Sequence, residues 1–185
     1  MKRFKVLHIV ESLGGGVHTY FIDLCKFFGN DNEFETFIVY SNKRPEIDKK
    51  NVGKYFNKKV KLIPIPMSKE ISFFKDISSL ISLVKTINKL NPDIIHLHSS
   101  KISVLGRLAY IITASRSKLF YTPHGYSFLR QDISGIKKKV FFLIEKFMAK
   151  LAGNTVACGD TEFEYAKKFG KSFLVRNGVD IKEIA

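Results

Sequence analysis

Two histidines in this sequence stand where side chains can do chemistry. The run Asp93-Ile94-Ile95-His96-Leu97-His98 leads into Ser99-Ser100-Lys101, and the run at 118–121 leads into Thr122-Pro123-His124-Gly125. A neutral imidazole at the end of an apolar run can donate to a hydroxyl group or relay a proton. Strand alternation sends His96 and His98 to the same side, but only His98 reaches the end of its run. Pro123 fixes the backbone ahead of His124, and Gly125 permits a sharp turn after it. A third feature is Gly14-Gly15-Gly16, between the strand-like run 4–10 and a helix expected over 17–28. Free N–H groups and the helix dipole would favour a phosphate there, although a plain tight turn would also use glycine. Ser99 and Ser100 read first as helix caps. Lys101 suits an anionic group or simple solvation. His8 reads as core, and His18, beside the glycines, has no assigned role.

Several chemistries are disfavoured. The glycines do not follow G-x-G-x-x-G, and the second strand ends in Tyr40-Ser41-Asn42 with no carboxylate for a ribose, so a nicotinamide cofactor is not expected. Zinc on His96 and His98 is the weaker alternative, because no carboxylate or thiolate partner is evident. The sequence holds no Asp-x-Asp pair, no G-x-S-x-G turn and no P-loop. No metal or cofactor is therefore expected.

The elements that must position these residues alternate along the chain. Strands are expected at 4–10, 34–40, 60–65, 93–98, 118–121, 154–157 and 172–175. Helices are expected at 17–28, weakly at 44–56, then at 71–90, 102–114, 136–151 and 162–169. Prolines 64 and 66 should end the third strand, and the loop 65–70 is the expected mobile connection. Alternation with near-continuous apolar strands predicts an α/β fold: a doubly wound parallel sheet, Rossmann-like, with ligands at the carboxyl ends of the strands.

The 185 residues fit one domain, or one domain and a short tail, and 45% hydrophobic content supports a sizeable core. The 31 Lys and Arg against 17 Asp and Glu give a formal charge of +14. That favours an anionic partner without choosing one, and lysine-favouring codon usage would produce the same excess. The lysines are scattered without a base-stacking aromatic motif, so nucleic acid is not an expected partner. Cys25 and Cys158 are expected as free thiols. Met1-Lys2-Arg3 leads directly into a strand, so no signal peptide is expected. On the helix at 136–151, Val140, Ile144, Phe147 and Leu151 share one face expected to pack on the sheet. Lys138, Lys139 and Lys146 with Phe142 lie opposite, where they could contact an anionic membrane surface. The alternative places Phe142 under a neighbouring loop with the lysines solvated.

Five stretches together resemble a known family: Val6-Leu7-His8-Ile9-Val10 with Gly14–Gly16; Pro92 to Ser99; Tyr121-Thr122-Pro123-His124-Gly125; Val156-Ala157-Cys158-Gly159-Asp160-Thr161-Glu162; and Asn177-Gly178-Val179-Asp180. In order and spacing they are similar to the N-terminal domain of GT-B-fold retaining glycosyltransferases of family 4 (group 1). The nearest likeness is to bacterial transferases of capsule, exopolysaccharide and O-antigen assembly. The resemblance implies sugar transfer, without metal, from a nucleoside diphosphate sugar to a glycan or polyprenyl-linked acceptor. Gly15 and Gly16 would meet the donor diphosphate, with Gly14 and Gly125 shaping the site. His124 would line the reaction centre, and His98 and Ser99 the acceptor side. Gly159 stands where many relatives carry serine, so that contact is lost or passes to Asp160 or Thr161. Residues 1–176 would form the acceptor-side domain, and 177–185, opening at Asn177, would begin the interdomain linker. A second domain of similar size would bind the donor, so the chain alone is expected to be inactive. Its expected location is cytoplasmic, peripheral at the inner face of the plasma membrane. A different class of reading is a non-catalytic module that binds a glycan or lipid-linked sugar, or one subunit of a two-chain transferase.

Overall fold

The computed structural model describes residues 3–28, 31–43, 52–68 and 70–178. Seven strands form one parallel sheet: β1 (Phe4–Val10), β2 (Phe34–Ser41), β3 (Lys61–Ile65), β4 (Ile94–His98), β5 (Lys118–Thr122), β6 (Asn154–Ala157) and β7 (Ser172–Leu174). Their order across the sheet is β3-β2-β1-β4-β5-β6-β7. The chain therefore winds outward in one direction from β1 and in the other from β4, which makes the β1/β4 boundary the switch point where such sheets bind ligands.

Five helices cover the two faces: α1 (Gly15–Phe28), α2 (Phe73–Leu90), α3 (Ser100–Ile112), α4 (Gly135–Leu151) and α5 (Asp160–Phe169). Alternation along the strands splits the core in two. Val10, Ile38 and Tyr40 point to the face covered by α1, where Phe21 and Cys25 meet them. Leu7, Ile9, Phe37 and Val39 point to the other face, against Leu83 and Ile87 of α2 and Ile102 and Leu105 of α3. Asn91 ends α2 in the left-handed region at φ 44°, donating its N–H to the Ile87 carbonyl at 2.8 Å, and Pro92 bars further helix.

The structure departs from the sequence expectations at several points. β3 runs through Pro64 because β3 is an edge strand, whose outer side needs no donor. The expected helix at 44–56 falls partly outside the described residues; Val52–Tyr55 is a 3-10 turn. Of the expected mobile connection 65–70, residue 69 lies outside the described residues; Met67 is fully buried, and Ser41 Oγ donates to its carbonyl. The fold's largest correction concerns α4. The face bearing Val140, Ile144, Phe147 and Leu151 is exposed, and the helix packs through Phe141, Phe142, Glu145 and Met148. Phe142 is half-buried against Phe128, Tyr165 and Phe169, as the alternative of packing under a neighbouring loop expected. The inward stripe is held by a buried polar cluster: Glu145 accepts from the Tyr121 hydroxyl at 2.9 Å, and the Arg107 guanidinium stacks 4.7 Å from the Tyr121 ring.

Candidate active site at the switch point

β1 and β4 pair in a register that sets His8 beside His96 and Val10 beside His98. β4 and β5 pair His98 with Thr122. Three histidines consequently share the α1 face of the sheet, and His124 follows two residues after β5. Their rings connect. His8 Nδ1 and His98 Nε2 share a hydrogen bond at 3.1 Å, and His98 Nδ1 and His124 Nε2 share one at 3.0 Å. His96 Nε2 bonds Thr122 Oγ1 at 2.8 Å. From α1, the edge of Phe21 meets His98 and Tyr20 meets His124, with ring centroids 4.8 and 5.0 Å apart.

His98 therefore does not line an open acceptor site. It is fully buried, and it reaches the strand ends only through His124. Burial keeps the group neutral. It lowers the His8 pKa to about 4 and pushes His96 and His98 well below the usual imidazole range, their histidine neighbours adding to the effect. His124 is also lowered by burial, with the Glu162 carboxylate opposing. Neutral rings carry one proton each, so the chain has two polarities. If His98 Nδ1 holds the proton, His124 Nε2 accepts it and His124 Nδ1 is the remaining donor. With the opposite polarity, His124 Nδ1 becomes a bare acceptor.

The backbone around this chain is unusual at the same points. His124 lies in the left-handed region at φ 51° and Ser99 at φ 80°, each just past the end of its strand. Gly125 follows at φ 92°. Positive φ at non-glycine residues carries a conformational cost and clusters at functional sites. Glu162, in the first turn of α5, holds the second turn in place. Its carboxylate accepts the Gly125 N–H through one oxygen and the Cys158 N–H at 3.0 Å through the other. A carboxylate near a helix N-terminus is the one sequence signal that could have singled out Glu162 as more than a surface residue.

Gly15 opens α1 at φ 56°, and a Cβ at Gly15 or Gly16 would meet nothing within 4 Å. Space, not packing, surrounds these two glycines, and the first turn of α1 carries no acidic side chain to occupy its N–H groups. Gly14 precedes them, half-buried. Ser99 takes the N-cap position of α3 but makes no capping bond; its hydroxyl is buried without a partner. Lys101 is committed elsewhere. Its ammonium pairs with Asp76 at 2.7 Å and donates to the Ser68 and Glu70 carbonyls, so it is no free anion ligand. His18 packs edge-on against Tyr55 and Phe56. Asp160 pairs with Arg176 at 2.6 Å, next to Asn177, while residues 179–185 lie outside the described part. Cys25 and Cys158 are both free thiols, as the sequence led one to expect, and burial raises both, to about 12 and about 11. A cavity of about 460 Å³ lined by Lys5, Asp93, Arg116 and Lys118 lies at the opposite, amino-terminal ends of the strands and is separate from this site.

The glycine turn after β1 and His124 after β5 thus both lie at the carboxyl ends of the strands, beside the switch point where such sheets bind ligands. In sequence the chain is 28% identical over 190 residues to the UDP-Gal:alpha-D-GlcNAc-diphosphoundecaprenol alpha-1,3-galactosyltransferase of Escherichia coli, covering 99% of this chain and 47% of that one. It is 29% identical over 97 residues to the capsular polysaccharide biosynthesis glycosyltransferase CapM of Staphylococcus aureus, covering 52% and 25%. In fold it is similar to the lipopolysaccharide outer core galactosyltransferase WaaB, with a TM-score of 0.70 at 18% identity over 96% of this chain and 47% of that one. The chain spans about half the length of the E. coli relative. The profile of Glycosyltransferase Family 4 matches residues 14–183, which takes in every element from α1 onward, and the chain belongs to that family.

Proposed function

We propose that this chain is the acceptor-side domain of an enzyme that transfers a sugar from a nucleoside diphosphate sugar to a glycan or polyprenyl-linked acceptor, in cell-surface polysaccharide synthesis. The observation that carries the proposal is the open N-terminus of α1 after β1, with free space around Gly15 and Gly16, on the helix whose Tyr20 ring lies against His124. The name of the E. coli relative supports the donor and acceptor classes, and that of the S. aureus relative supports polysaccharide synthesis.

In this reading the bond from the anomeric carbon to the diphosphate breaks as the acceptor oxygen bonds to the same face, retaining configuration, and the acceptor's hydroxyl proton passes to the departing diphosphate oxygen. Negative charge grows on the departing diphosphate, and preorganised N–H groups of α1, with cations from a second domain, stabilise it. That assignment needs no metal. His124 holds a hydroxyl of the donor sugar, and Ser99, whose hydroxyl is buried without a partner, is assigned to the acceptor side. No covalent nucleophile is assigned. A polyprenyl-linked acceptor would place the enzyme in the cytoplasm, at the inner membrane face.

The test is a transfer assay with the full-length enzyme, a panel of nucleotide sugars and polyprenyl-diphosphate sugar acceptors. The product's anomeric configuration should match the donor's. His124→Ala should lower kcat about 100-fold, as for loss of one preorganised contact. Unchanged kcat in a stably folded variant would refute the assignment of His124. Acceptor binding without turnover of any donor would favour a non-catalytic module.

A further inference from the structure

The register that pairs β1 with β4 builds more than a hydrogen-bonded path to His124. His8, His96 and His98 each offer a ring nitrogen, and these three atoms lie within 4.8 Å of one another. Among the described residues this is the only such group of histidine, cysteine or acidic side chains. In the sequence, zinc on His96 and His98 lacked a third ligand; the fold supplies one from β1.

The geometry is close to that of a metal site. His8 Nδ1 and His98 Nε2 are 3.1 Å apart. Zinc–nitrogen bonds of about 2.0–2.1 Å set two ligands of a tetrahedral ion about 3.3 Å apart, so this pair has only to open slightly. The ring that must turn to close the remaining gap is that of His96, which is half-buried where His8 and His98 are buried. Its exposed side also gives an ion a way in and leaves a fourth position for water. The outward nitrogens are held as ligands require. His96 Nε2 bonds Thr122 Oγ1 at 2.8 Å, which leaves Nδ1 for an ion, and His98 Nδ1 bonds His124 Nε2 at 3.0 Å, which leaves Nε2. A metal-bound histidine ordinarily donates its other N–H to such a partner, which fixes the tautomer. Burial keeps the three rings neutral, the form that coordinates. A set made only of imidazoles suits zinc and its late first-row neighbours, not calcium or magnesium.

We propose that His8, His96 and His98 form a binding site for a late first-row divalent transition ion such as Zn²⁺, held by His8 Nδ1, His96 Nδ1 and His98 Nε2. The ion replaces the hydrogen bond between His8 and His98. Each ring keeps one proton, carried on the nitrogen that faces away from the ion. His98 therefore donates from Nδ1 to His124 Nε2, and His124 presents its Nδ1–H. Metal binding thus selects one of the two polarities of the histidine chain, and the ion takes no part in the departure of the diphosphate. What that selection does for sugar transfer rests on the role proposed for His124; the site itself does not.

The test is titration of the chelator-treated 185-residue chain with Zn²⁺ by calorimetry and with Co²⁺ by visible absorption. One ion per chain is expected, with the visible bands of tetrahedral nitrogen-bound cobalt and no near-ultraviolet thiolate band. His96→Gln, which removes a ligand, should weaken zinc binding by about 100-fold or more, and Thr122→Val, which removes only the orienting hydroxyl, by about tenfold. His18→Gln, outside the trio, should bind as the unaltered chain does, and circular dichroism should show each variant folded. Nitrogen NMR of the zinc-loaded chain should find His124 protonated on Nδ1. Absence of binding overturns the site, as does unchanged binding in His96→Gln. A thiolate band moves the ion to Cys25 or Cys158 and overturns it too. Should His96→Gln unfold, the cobalt spectrum of the unaltered chain decides. Zinc binding with His124 protonated on Nε2 overturns the coupling to His124. None of these measurements involves sugar transfer, so failure of the site and failure of the transfer reading are separate results.

Discussion

Mild acid should unfold this domain, and the histidine chain sets the pH at which it does so. His8 is held neutral in the folded state, with its pKa lowered from 6.5 to about 4 by burial. Unfolding returns it to water. Between those values the unfolded state binds the proton and the folded state does not, so stability is full above about pH 6.5 and is lost as the pH falls towards 4. At about 1.4 kcal/mol per pKa unit, His8 alone accounts for roughly 3 kcal/mol. His96 and His98 are lowered further by the same burial and by each other, and His124 adds a share. With three groups titrating on unfolding, stability should fall by about 4 kcal/mol per pH unit near pH 5.5. Typical domains have about 5–15 kcal/mol to lose, so unfolding is expected well before pH 4. Urea denaturation followed by circular dichroism between pH 7.5 and 5 gives that slope directly, above the range where most carboxylates titrate. His8→Leu should reduce the slope by about one proton. A wild-type slope of one proton or less, or an unchanged slope in His8→Leu, would refute the view that these rings are held neutral.

Two further outcomes follow from packing. Glu145→Gln should cost about 1–3 kcal/mol in urea denaturation, because it replaces the carboxylate that accepts from the buried Tyr121 hydroxyl and removes a negative charge that favours the buried Arg107 guanidinium; no loss would show that Glu145 contributes no charge. Gly106→Ala would set a Cβ 2.4 Å from a methyl of fully buried Leu97 and should cost about 1–3 kcal/mol, whereas Gly16→Ala, with open space around it, should leave thermal stability unchanged.

The alternation of strands and helices was legible because each element carries its own period, and every β-strand lies within a residue or two of its expected place. The inner face of α4 was not. Its true stripe contains Glu145, and a carboxylate in the middle of a helix face reads as solvent-exposed until a buried tyrosine from β5 supplies its hydrogen-bond partner. Its outer stripe is as apolar as a core face, so periodicity chose the wrong side. Lys101 misled for a similar reason: Asp76 and two carbonyls beyond β3 satisfy it, and no local pattern announces them. Strand alternation placed His96 and His98 on one side, but it took the pairing of β1 with β4 to bring His8 between them and Phe21.

That pairing changes what His124 is. Read from sequence, it was a lone imidazole after a strand, free to hold its proton on either nitrogen. In the fold, Nε2 is committed to His98, whose other nitrogen is committed to His8. Neither buried ring can take on charge cheaply, so the polarity of the chain can reverse only by moving protons along it in concert. The exposed end then meets a ligand hydroxyl as a donor or as an acceptor, and never as a cation at neutral pH. A hydroxyl can answer either polarity, whereas a phosphate oxygen can only accept. In the proposed reading, phosphate is therefore assigned to the N–H groups of α1 and hydroxyl to His124. Glycine would fit φ 51° at position 124 with less strain, and a histidine held there is explained by the hydrogen bonds that only its ring can make.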